Sequence, residues 1–299
     1  MNGENIPFLT VFTPSFNRAH LLPRCYESMK AQKCKDFIWM IIDDGSTDNT
    51  EELVKKWQSE ENGLKIEYIY KPNGGMHTAH NTAYENIRTE LNVCIDSDDL
   101  LADDAVSKIK CFWEAHGSER YAGILGLDAD FDGNIIGKGF PENLKECTLG
   151  GYYAAGGKGD KKLVYRTDVI TKYPPYPVFE GEKFVALGYK YTLCDDDYKL
   201  LVLDEVLCNV EYQTDGSTNN MYRQYRRNPK GWAFMRIFHM HRAPSKKRMF
   251  ELNVHYVSSC IFAKDKYFLK KSPKKLWTIV ACPFGLALNL LIRFKTRGK

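Results

Sequence analysis

Residues 91–100 read LNVCIDSDDL, an apolar run that leads directly into three aspartates within four positions. The apolar part, Leu91–Ile95, has the length and composition of a buried strand. Carboxylates so close together repel one another unless water or a cation screens them. Hard divalent cations such as Mg²⁺ and Mn²⁺ share oxygen ligands between carboxylates and substrate phosphates. Alone, the motif is also explained by a solvated turn with an aspartate helix cap.

The same alternation of short apolar runs and amphipathic segments fills the first 118 residues. Such alternation is typical of a parallel sheet with crossover helices. The sequence therefore predicts an α/β fold, an α/β/α sandwich with a mostly parallel central sheet. The predicted strands are Phe8–Phe12, Phe37–Ile42, Ile66–Tyr70 and Leu91–Ile95, and the predicted helices are His20–Ala31, Thr47–Ser59, His77–Ile87 and Asp103–Ala115. The helix caps expected are Ser46 or Thr47 and Asp103.

The pattern changes after about residue 120. Tyr121–Leu127 and Asn134–Lys138 flank the turn dipeptide at 132–133 and predict a strand pair. Gly150–Gly159 predicts a loop, and Leu200–Tyr212 predicts another strand. We expect one domain over residues 1–218, with a nucleotide-binding half at 1–118 and an acceptor-binding half at 119–218.

Residues 219–299 are expected to form a basic, helical C-terminal extension. Its apolar stretch, Leu276–Ile292, has about the minimum length for a membrane span, contains Pro283 and has basic residues on both sides. This pattern favours a helix that lies in the membrane interface, where lysines and arginines meet anionic head groups. A core or dimerisation helix is the alternative.

The composition excludes several classes of protein. The 299 residues are 43% hydrophobic and 27% charged, which is ordinary for a globular protein. The net charge of +4 is spread along the chain and does not indicate nucleic-acid binding. Nine cysteines without a CxxC pair argue against a disulfide framework and favour a reducing compartment. The N-terminus lacks the features of a signal peptide, so we expect a cytoplasmic protein.

Polar motifs follow three further predicted strands. Residues 10–18 read TVFTPSFNR, residues 41–50 read IIDDGSTDNT and residues 71–81 read KPNGGMHTAHN. A capped turn between strand and helix explains each motif separately, apart from the Asp43–Asp44 pair. His77 and His80 share a helix face, but no third zinc ligand is nearby. Because the carboxyl ends of parallel strands meet at one edge, the motifs together predict one ligand-binding crevice.

These motifs, in this order and spacing, resemble those of the family 2 glycosyltransferases, inverting enzymes of the GT-A fold. The resemblance runs from about Leu9 to about Ser217. It implies transfer of a sugar from a nucleotide diphosphate donor, preferably a UDP-sugar, to an acceptor hydroxyl with Mn²⁺ or Mg²⁺. It also implies bacterial cell-surface polysaccharide synthesis, with a glycan or lipid-linked glycan as acceptor. With the basic tail, it predicts a peripheral protein at the inner face of the cell membrane, of open oligomeric state.

The resemblance also implies roles for individual residues. Asp43 would contact the base, Asp96 the ribose and the metal, and Asp98 the metal. Asp99 is expected to be either a second ligand or a helix cap. Arg166 would contact the diphosphate or the acceptor, with a surface ion pair as the alternative. The other residues expected to border the donor are Thr13, Pro14, Ser15, Asn17, Arg18, Asp44, Asn73, Gly74, His77 and Ser97.

Inversion requires a general base that takes the proton of the acceptor hydroxyl. The resemblance places this base in the segment VFEGEKF, residues 178–184, where Glu182 is the first candidate and Glu180 the second. An exposed acidic loop is the alternative. Asp195–Asp197 is a rival acidic cluster, which we expect to be a solvated turn. The segment YQTDGS, residues 212–217, is expected to close over the donor.

Three other functions are compatible with parts of the sequence. A nucleotidyltransferase would share the α/β architecture, but the N-terminal motif is not its glycine-rich, basic phosphate loop. A non-catalytic module that binds sugar nucleotides would need neither the DSDD motif nor Glu182. A membrane-surface adaptor would leave the acidic strand ends without a purpose. The sequence therefore favours an enzyme.

Overall fold

A computed structural model describes residues 6–211 and 221–297 of the chain. The chain divides into two compact units. The sheet unit comprises Met1–Pro175 and Lys190–Tyr212, and the helical unit comprises Tyr176–Tyr189 and Gln213–Lys299. The segment Tyr176–Tyr189, which the sequence analysis assigned to the first domain, thus groups with the helical residues.

Within residues 6–211, nine strands form one mixed sheet of order β3-β2-β1-β4-β8-β6-β9-β5, with β7 beside β9. β1 to β4 run parallel to one another, whereas β8 runs antiparallel to both β4 and β6. The α/β prediction is confirmed. The strands are β1 (Leu9–Ser15), β2 (Phe37–Asp43), β3 (Lys65–Tyr70), β4 (Leu91–Cys94), β5 (Leu100–Leu101), β6 (Tyr121–Ala129), β7 (Glu146–Cys147), β8 (Lys161–Arg166) and β9 (Lys199–Asn209).

The helices of the first half lie where the amphipathic segments predicted them, but the first, second and fourth begin two or three residues later than predicted, and the third begins one residue earlier. The chain before the first and second of these helices forms loops whose polar groups bond to other loops, so the first regular turn is delayed. The caps at Ser46 or Thr47 and at Asp103 are wrong, because Asn49 and Asp104 occupy the cap positions. The helices are α1 (Leu22–Ala31), α2 (Thr50–Gln58), α3 (Met76–Asn86), α4 (Ala105–His116), α5 (Leu149–Ala154), α6 (Thr167–Ile170) and α7 (Gly188–Asp197).

The core of the sheet unit is built around β1, whose seven residues are all buried. An aromatic stack on one side of the sheet joins Tyr26, Trp39 and Trp57, with 4.4 Å between the Tyr26 and Trp57 ring centroids. β1 pairs with β4 only as far as Phe12. Pro14, which has no N–H to donate, therefore lies beyond the end of that ladder.

Three predictions for the middle of the chain are wrong. Asn134–Lys138 forms no strand and makes one bridge, between Ala129 and Ile135, because Asp130 accepts the N–H groups of Asp132 and Asn134 and closes a turn instead. The predicted glycine-rich loop at 150–159 begins inside helix α5.

The third wrong prediction concerns the acidic cluster Asp195–Asp197, which ends helix α7 and is not a solvated turn. The Asp195 carboxylate accepts the N–H groups of Leu149 and Gly150 at 3.0 and 2.7 Å. These are the orphan donors at the start of α5, so the aspartate stabilises that helix end.

The helical unit contains five helices over residues 221–297. Pro229 opens α9, and the Ser245 hydroxyl accepts the Arg248 N–H at the start of α10. The helices are α8 (Met221–Arg227), α9 (Pro229–Met240), α10 (Lys246–Phe262), α11 (Phe268–Lys271) and α12 (Lys275–Lys295).

Helix α12 mostly buries small or polar side chains and exposes large apolar ones. The face packed on α10 is small or polar, with the Thr278 hydroxyl donating to Asn253 Oδ1 at 2.6 Å and Asn289 donating to the Ser258 carbonyl at 3.1 Å. In the described part of the chain, α12 alone is long and apolar enough to cross a membrane, and 28% of its apolar window is buried. Its exposed apolar residues are Leu276, Ile279, Val280, Phe284, Leu286, Leu290, Leu291 and Phe294.

Candidate active site

The loops that follow β1 and β2 are held together by side-chain hydrogen bonds. The Asn17 N–H donates to Ser46 Oγ at 2.9 Å, and the Thr47 N–H donates back to Asn17 Oδ1 at 2.8 Å. Asn17 has a φ of 53°, in the left-handed region that asparagine tolerates better than most residues. Arg18 follows in the same loop and is half-buried. The TPSFNR and DDGS motifs therefore form one connected rim.

Asp43 ends β2 and is only 1% exposed. Its Oδ1 accepts the Ser46 N–H at 2.7 Å, and its Oδ2 accepts the Tyr68 hydroxyl proton at 2.6 Å. These two bonds fix the plane of the carboxylate. Each oxygen keeps a lone pair for a further donor, such as the N–H of a nucleotide base.

Asp44 anchors the NGG turn. Its carboxylate accepts the N–H groups of Gly74 and Gly75 at 2.9 and 2.7 Å and pairs with the Lys71 ammonium. Gly45 allows the close approach, since it has a φ of +82° and a Cβ there would lie 2.6 Å from the Asn73 nitrogen. Asp44 therefore positions Asn73 and Gly74 beside the strand ends, and its carboxylate is already fully engaged.

Two buried polar side chains at this edge have no hydrogen-bond partner among the described residues. Ser15 Oγ ends β1 at 3% exposure, and both ring nitrogens of His77, at the start of α3, are unpaired at 1% exposure. Burial lowers the pKa of His77 to about 4, so its imidazole is neutral near pH 7. Unpaired buried polar atoms are unfavourable, so these atoms are available as partners for a bound molecule. Thr13 differs, because its hydroxyl accepts the Trp39 indole N–H at 2.9 Å inside the core.

The DSDD motif forms a turn at the end of β4, closed by the Asp99 N–H donating to the Asp96 carbonyl at 3.0 Å. Ser97 and Asp99 are buried, and Asp96 and Asp98 are half-buried. Burial raises the pKa of Asp96, and it raises the pKa of Asp99 to about 7. The Asp98 carboxylate makes no hydrogen bond or ion pair with any described residue.

Two residues that the sequence analysis missed complete this cluster. The Lys162 ammonium on β8 lies 3.6 Å from Asp128 Oδ1, and both side chains are nearly buried. Burial alone would lower the pKa of Lys162, but Asp128, Asp99 and Asp96 raise it well above its usual value. Because β8 runs antiparallel to β4, it carries Lys162 past the end of β4 to the acidic turn. The one sequence signal was a charged residue next to the apolar run of a strand.

A divalent cation fits this edge only if a substrate supplies part of its ligands. In residues 6–211 and 221–297, no three His, Cys, Asp or Glu side chains converge as a closed metal site. Mg²⁺ usually binds one or two carboxylates and completes its shell with water and substrate phosphates. Asp98, whose oxygens are unpaired, suits that role, with Asp96 beside it.

Arg166 lies elsewhere. It pairs in register with Leu91 at the amino end of β4, whereas the DSDD turn follows the carboxyl end. Its guanidinium donates to both oxygens of Asp168, at 3.1 and 2.7 Å. The structure therefore does not bring Arg166 to the acidic edge, where Lys162 lies beside the buried aspartates.

The two candidates for the general base lie in the helical unit and differ in their surroundings. Glu182 is 8% exposed, and its two oxygens accept the N–H groups of Lys230 and Gly231, both at 2.8 Å, at the start of α9. Glu180 is exposed, and its carboxylate makes no hydrogen bond with a described residue. Glu182 thus stabilises a helix end, whereas Glu180 is free to accept a proton. The YQTDGS segment lies outside the described residues.

Comparison with known proteins supports the sequence resemblance. Residues 10–128 match the family model described as "Glycosyl transferase family 2". A chondroitin synthase of Pasteurella multocida is 32% identical over 147 residues, which are 48% of this chain and 15% of that protein. A GalNAc(5)-diNAcBac-PP-undecaprenol beta-1,3-glucosyltransferase of Campylobacter jejuni is 30% identical over 125 residues, which are 40% of this chain and 38% of that protein. The chain thus covers a minor part of both relatives.

Solved structures of glycosyltransferases share the fold of the chain. TarS 1–349 of S. aureus in complex with UDP has a TM-score of 0.57 at 15% identity, covering 97% of this chain and 91% of that one. A mannosyltransferase of Pyrobaculum calidifontis in complex with GDP-Man and Mn²⁺ has a TM-score of 0.55 at 15% identity, covering 98% of this chain and 76% of that one. The fold class predicted from the sequence, the GT-A type, is confirmed.

Proposed function

Because residues 10–128 match the model of glycosyl transferase family 2, we propose that the chain transfers a sugar from a nucleotide diphosphate donor to an acceptor hydroxyl. The proposal includes inversion at the anomeric carbon, dependence on Mn²⁺ or Mg²⁺, and a UDP-sugar as the donor. We also propose a glycan or lipid-linked glycan acceptor and a role in bacterial cell-surface polysaccharide synthesis. The named relatives are a chondroitin synthase and a glucosyltransferase, which supports this role.

One observation carries the proposal: the Asp98 carboxylate pairs with no described residue, in a turn whose other acids already have a counter-charge in Lys162. A structural turn would gain nothing from an additional unpaired carboxylate beside three buried or half-buried acids. A cation that also binds the diphosphate resolves the repulsion. When bound, such a metal neutralises the charge that develops on the leaving diphosphate.

The neighbouring residues can perform the remaining parts of donor binding. Asp43 offers fixed carboxylate oxygens to the nucleotide base of the donor. The NGG turn, held by Asp44, offers backbone groups beside Asp43. Ser15 and His77 offer buried polar atoms that lack partners. We propose that these groups bind the nucleotide and the donor sugar, while Asp96 faces the ribose.

For the general base we propose a glutamate of the 178–184 segment, and the geometry favours Glu180 over Glu182. A base must have a lone pair that is free to accept the proton of the acceptor hydroxyl. Both oxygens of Glu182 already accept backbone N–H groups, whereas Glu180 is exposed. In this proposal Glu182 holds the segment in place, and Glu180 takes the proton.

The direct test is a panel of UDP- and GDP-sugars, assayed for hydrolysis and binding with Mn²⁺ and with EDTA. The wild type is compared with Asp98→Ala and with Asp132→Ala, an exposed aspartate of the same unit. We expect use of one donor only with Mn²⁺, a loss of at least about 100-fold in Asp98→Ala, and no change in Asp132→Ala. Donor binding that is the same with Mn²⁺ and with EDTA, and the same in the wild type and Asp98→Ala, would refute the proposed role of the cluster.

We further propose that α12 holds the protein at the inner face of the cell membrane. Its exposed face carries eight large apolar residues, among them Leu276 at 80% and Phe294 at 70% exposure. Lysines precede the helix, and Arg293 and Lys295 lie in its last turn. An apolar face with cations at both ends complements an anionic lipid surface.

Sedimentation with lipid vesicles tests the membrane proposal. We expect the full chain to pellet with vesicles that contain phosphatidylglycerol, and to pellet less with pure phosphatidylcholine or in high salt. The double variant Val280→Asp with Phe284→Asp should remain in the supernatant. The control is Tyr267→Asp, which alters an exposed aromatic residue outside α12. Equal sedimentation of all three proteins would contradict the role of α12.

A further inference from the structure

The helical unit contains an arginine that has no acidic partner among the described residues. The Arg236 guanidinium carbon of α9 lies 4.9 Å from the centroid of the Trp232 ring and 5.7 Å from that of Tyr225. Its Nε is buried and has no hydrogen-bond partner among the described residues. No carboxylate in that part of the chain forms an ion pair with it. Burial of a charge without a counter-charge is costly, so this arrangement calls for an anion.

A second buried donor lies in the same cluster. Trp232 is 8% exposed, and its indole N–H has no hydrogen-bond partner among the described residues. Buried indole N–H groups are normally satisfied. The Phe184 ring stacks on Trp232 at 5.0 Å between centroids, which fixes the orientation of the indole. Two adjacent side chains thus hold unused donors in fixed positions.

The side chains around this pair add positive charge, are neutral, or are acids that already have partners. Arg248, on α10, contributes a further positive charge near Arg236 and pairs at 3.2 Å with Glu251. His255 packs against Tyr225, with 5.6 Å between the ring centroids, and burial followed by the nearby arginines lowers its pKa to about 4. Glu251 is already matched by Arg248, and Glu182, which accepts the N–H group of Gly231 next to Trp232, has both oxygens bonded to backbone N–H groups.

We propose that Trp232 and Arg236, with Tyr225 at their side, bind a phosphoryl group of the acceptor glycan. A guanidinium binds phosphate oxygens through parallel N–H bonds, and the indole N–H contacts a further oxygen. A phosphoryl group offers enough acceptor oxygens for all of these donors. That the group belongs to the acceptor rests on the proposed function, whereas anion binding itself does not.

Isothermal titration calorimetry of the full chain with inorganic phosphate, in EDTA and without nucleotide, tests the site. We expect binding that weakens at least about tenfold in Arg236→Gln and weakens less in Trp232→Phe, which loses one neutral donor. Arg227→Gln removes an exposed arginine of α8 and should change nothing. Asp98→Ala should also bind phosphate normally, so failure of the donor proposal and failure of this one are distinguishable.

Thermal unfolding separates an anion site from a structural arginine. If Arg236 is part of an anion site, the unfolding midpoint of Arg236→Gln without phosphate should be no lower than that of the wild type. Phosphate should raise the midpoint of the wild type only. A lowered midpoint of Arg236→Gln in the absence of phosphate, or an equal phosphate response in both proteins, overturns the proposal. Tighter binding of glucuronate than of phosphate would also overturn it.

The source of the phosphoryl group is tested with two probes. Glucose 1-phosphate represents a soluble sugar phosphate, and phosphatidylcholine vesicles with phosphatidic acid represent a lipid-borne phosphate. Each probe is compared between the wild type and Arg236→Gln. Because α12 is unchanged in both proteins, a difference in vesicle binding is due to Arg236. A difference confined to one probe identifies the source, and no difference with either probe contradicts the proposal.

Discussion

The two units of the molecule bury charge in opposite ways. In the sheet unit, the Lys162 ammonium is surrounded by Asp96, Asp99 and Asp128, so negative charge is in excess. In the helical unit, the half-buried Arg236 lies against aromatic rings and forms no ion pair with a described carboxylate, so positive charge is in excess. Buried charge is stable only when it is compensated. The difference therefore indicates what each unit lacks, a cation in the first and an anion in the second.

The strongest test of this comparison is Lys162→Met. Removal of the ammonium leaves the buried aspartates without a counter-charge, and the free energy of unfolding should fall by about 3–5 kcal/mol. The measurement is urea unfolding of the whole chain. Mn²⁺ should stabilise the variant more than the wild type, because an added cation replaces the missing charge.

The control for this prediction is Lys145→Met, which removes an exposed lysine of the same unit and should leave stability unchanged. The comparison fails if Lys162→Met is as stable as the wild type and responds equally to Mn²⁺. The contrast between the two units is strengthened if Arg236→Gln, measured in parallel, shows no loss of stability. Opposite results for two buried cations would show that one is paired and the other is not.

The sequence predicted the acidic edge better than the residues that complete it. Leu91–Ile95 and the runs before it are mainly apolar, which marks strands, and the strand ends placed Asp43 and Asp98 correctly at one edge of the sheet. Lys162 could not be predicted, because it reaches that edge only through the antiparallel course of β8, 66 positions after Asp96 in the chain.

The distribution of roles within each motif was also hidden. Local sequence does not distinguish Asp43 from Asp44, yet the Asp44 carboxylate is already occupied by hydrogen bonds from the NGG turn. Likewise, it ranked Glu182 above Glu180, although the Glu182 carboxylate accepts two N–H groups at the start of a helix 48 positions later. Hydrogen bonds between distant segments decide which carboxylate stays free, and local sequence carries no information on them.

A second prediction compares these two glutamates within the helical unit. Glu182→Ala removes the acceptor of two helix-end N–H groups and should lower the free energy of unfolding by about 1–2 kcal/mol. Glu180→Ala should leave stability unchanged and reduce sugar transfer at least about 100-fold, since it removes the proposed base. Urea unfolding and initial transfer rates measure the two effects. A stable Glu182→Ala protein without activity would return the role of base to Glu182.

A third prediction concerns the two buried histidines of the sheet unit, His77 and His80, and its effect per pH unit is the smallest of the three. Burial lowers the pKa of His77 to about 4 and, more strongly, that of His80 to about 3, from 6.5 in both cases. Between those values and 6.5 the unfolded chain binds more protons than the folded one, so stability is full above pH 6.5 and falls as the pH decreases. Each histidine should contribute roughly 1 kcal/mol per pH unit over that interval.

Urea unfolding at several pH values should show a shallower slope for His77→Asn than for the wild type or for His20→Asn, which alters an exposed histidine. An unchanged slope in His77→Asn would mean that His77 is protonated in the folded protein, where it would add positive charge beside the donor.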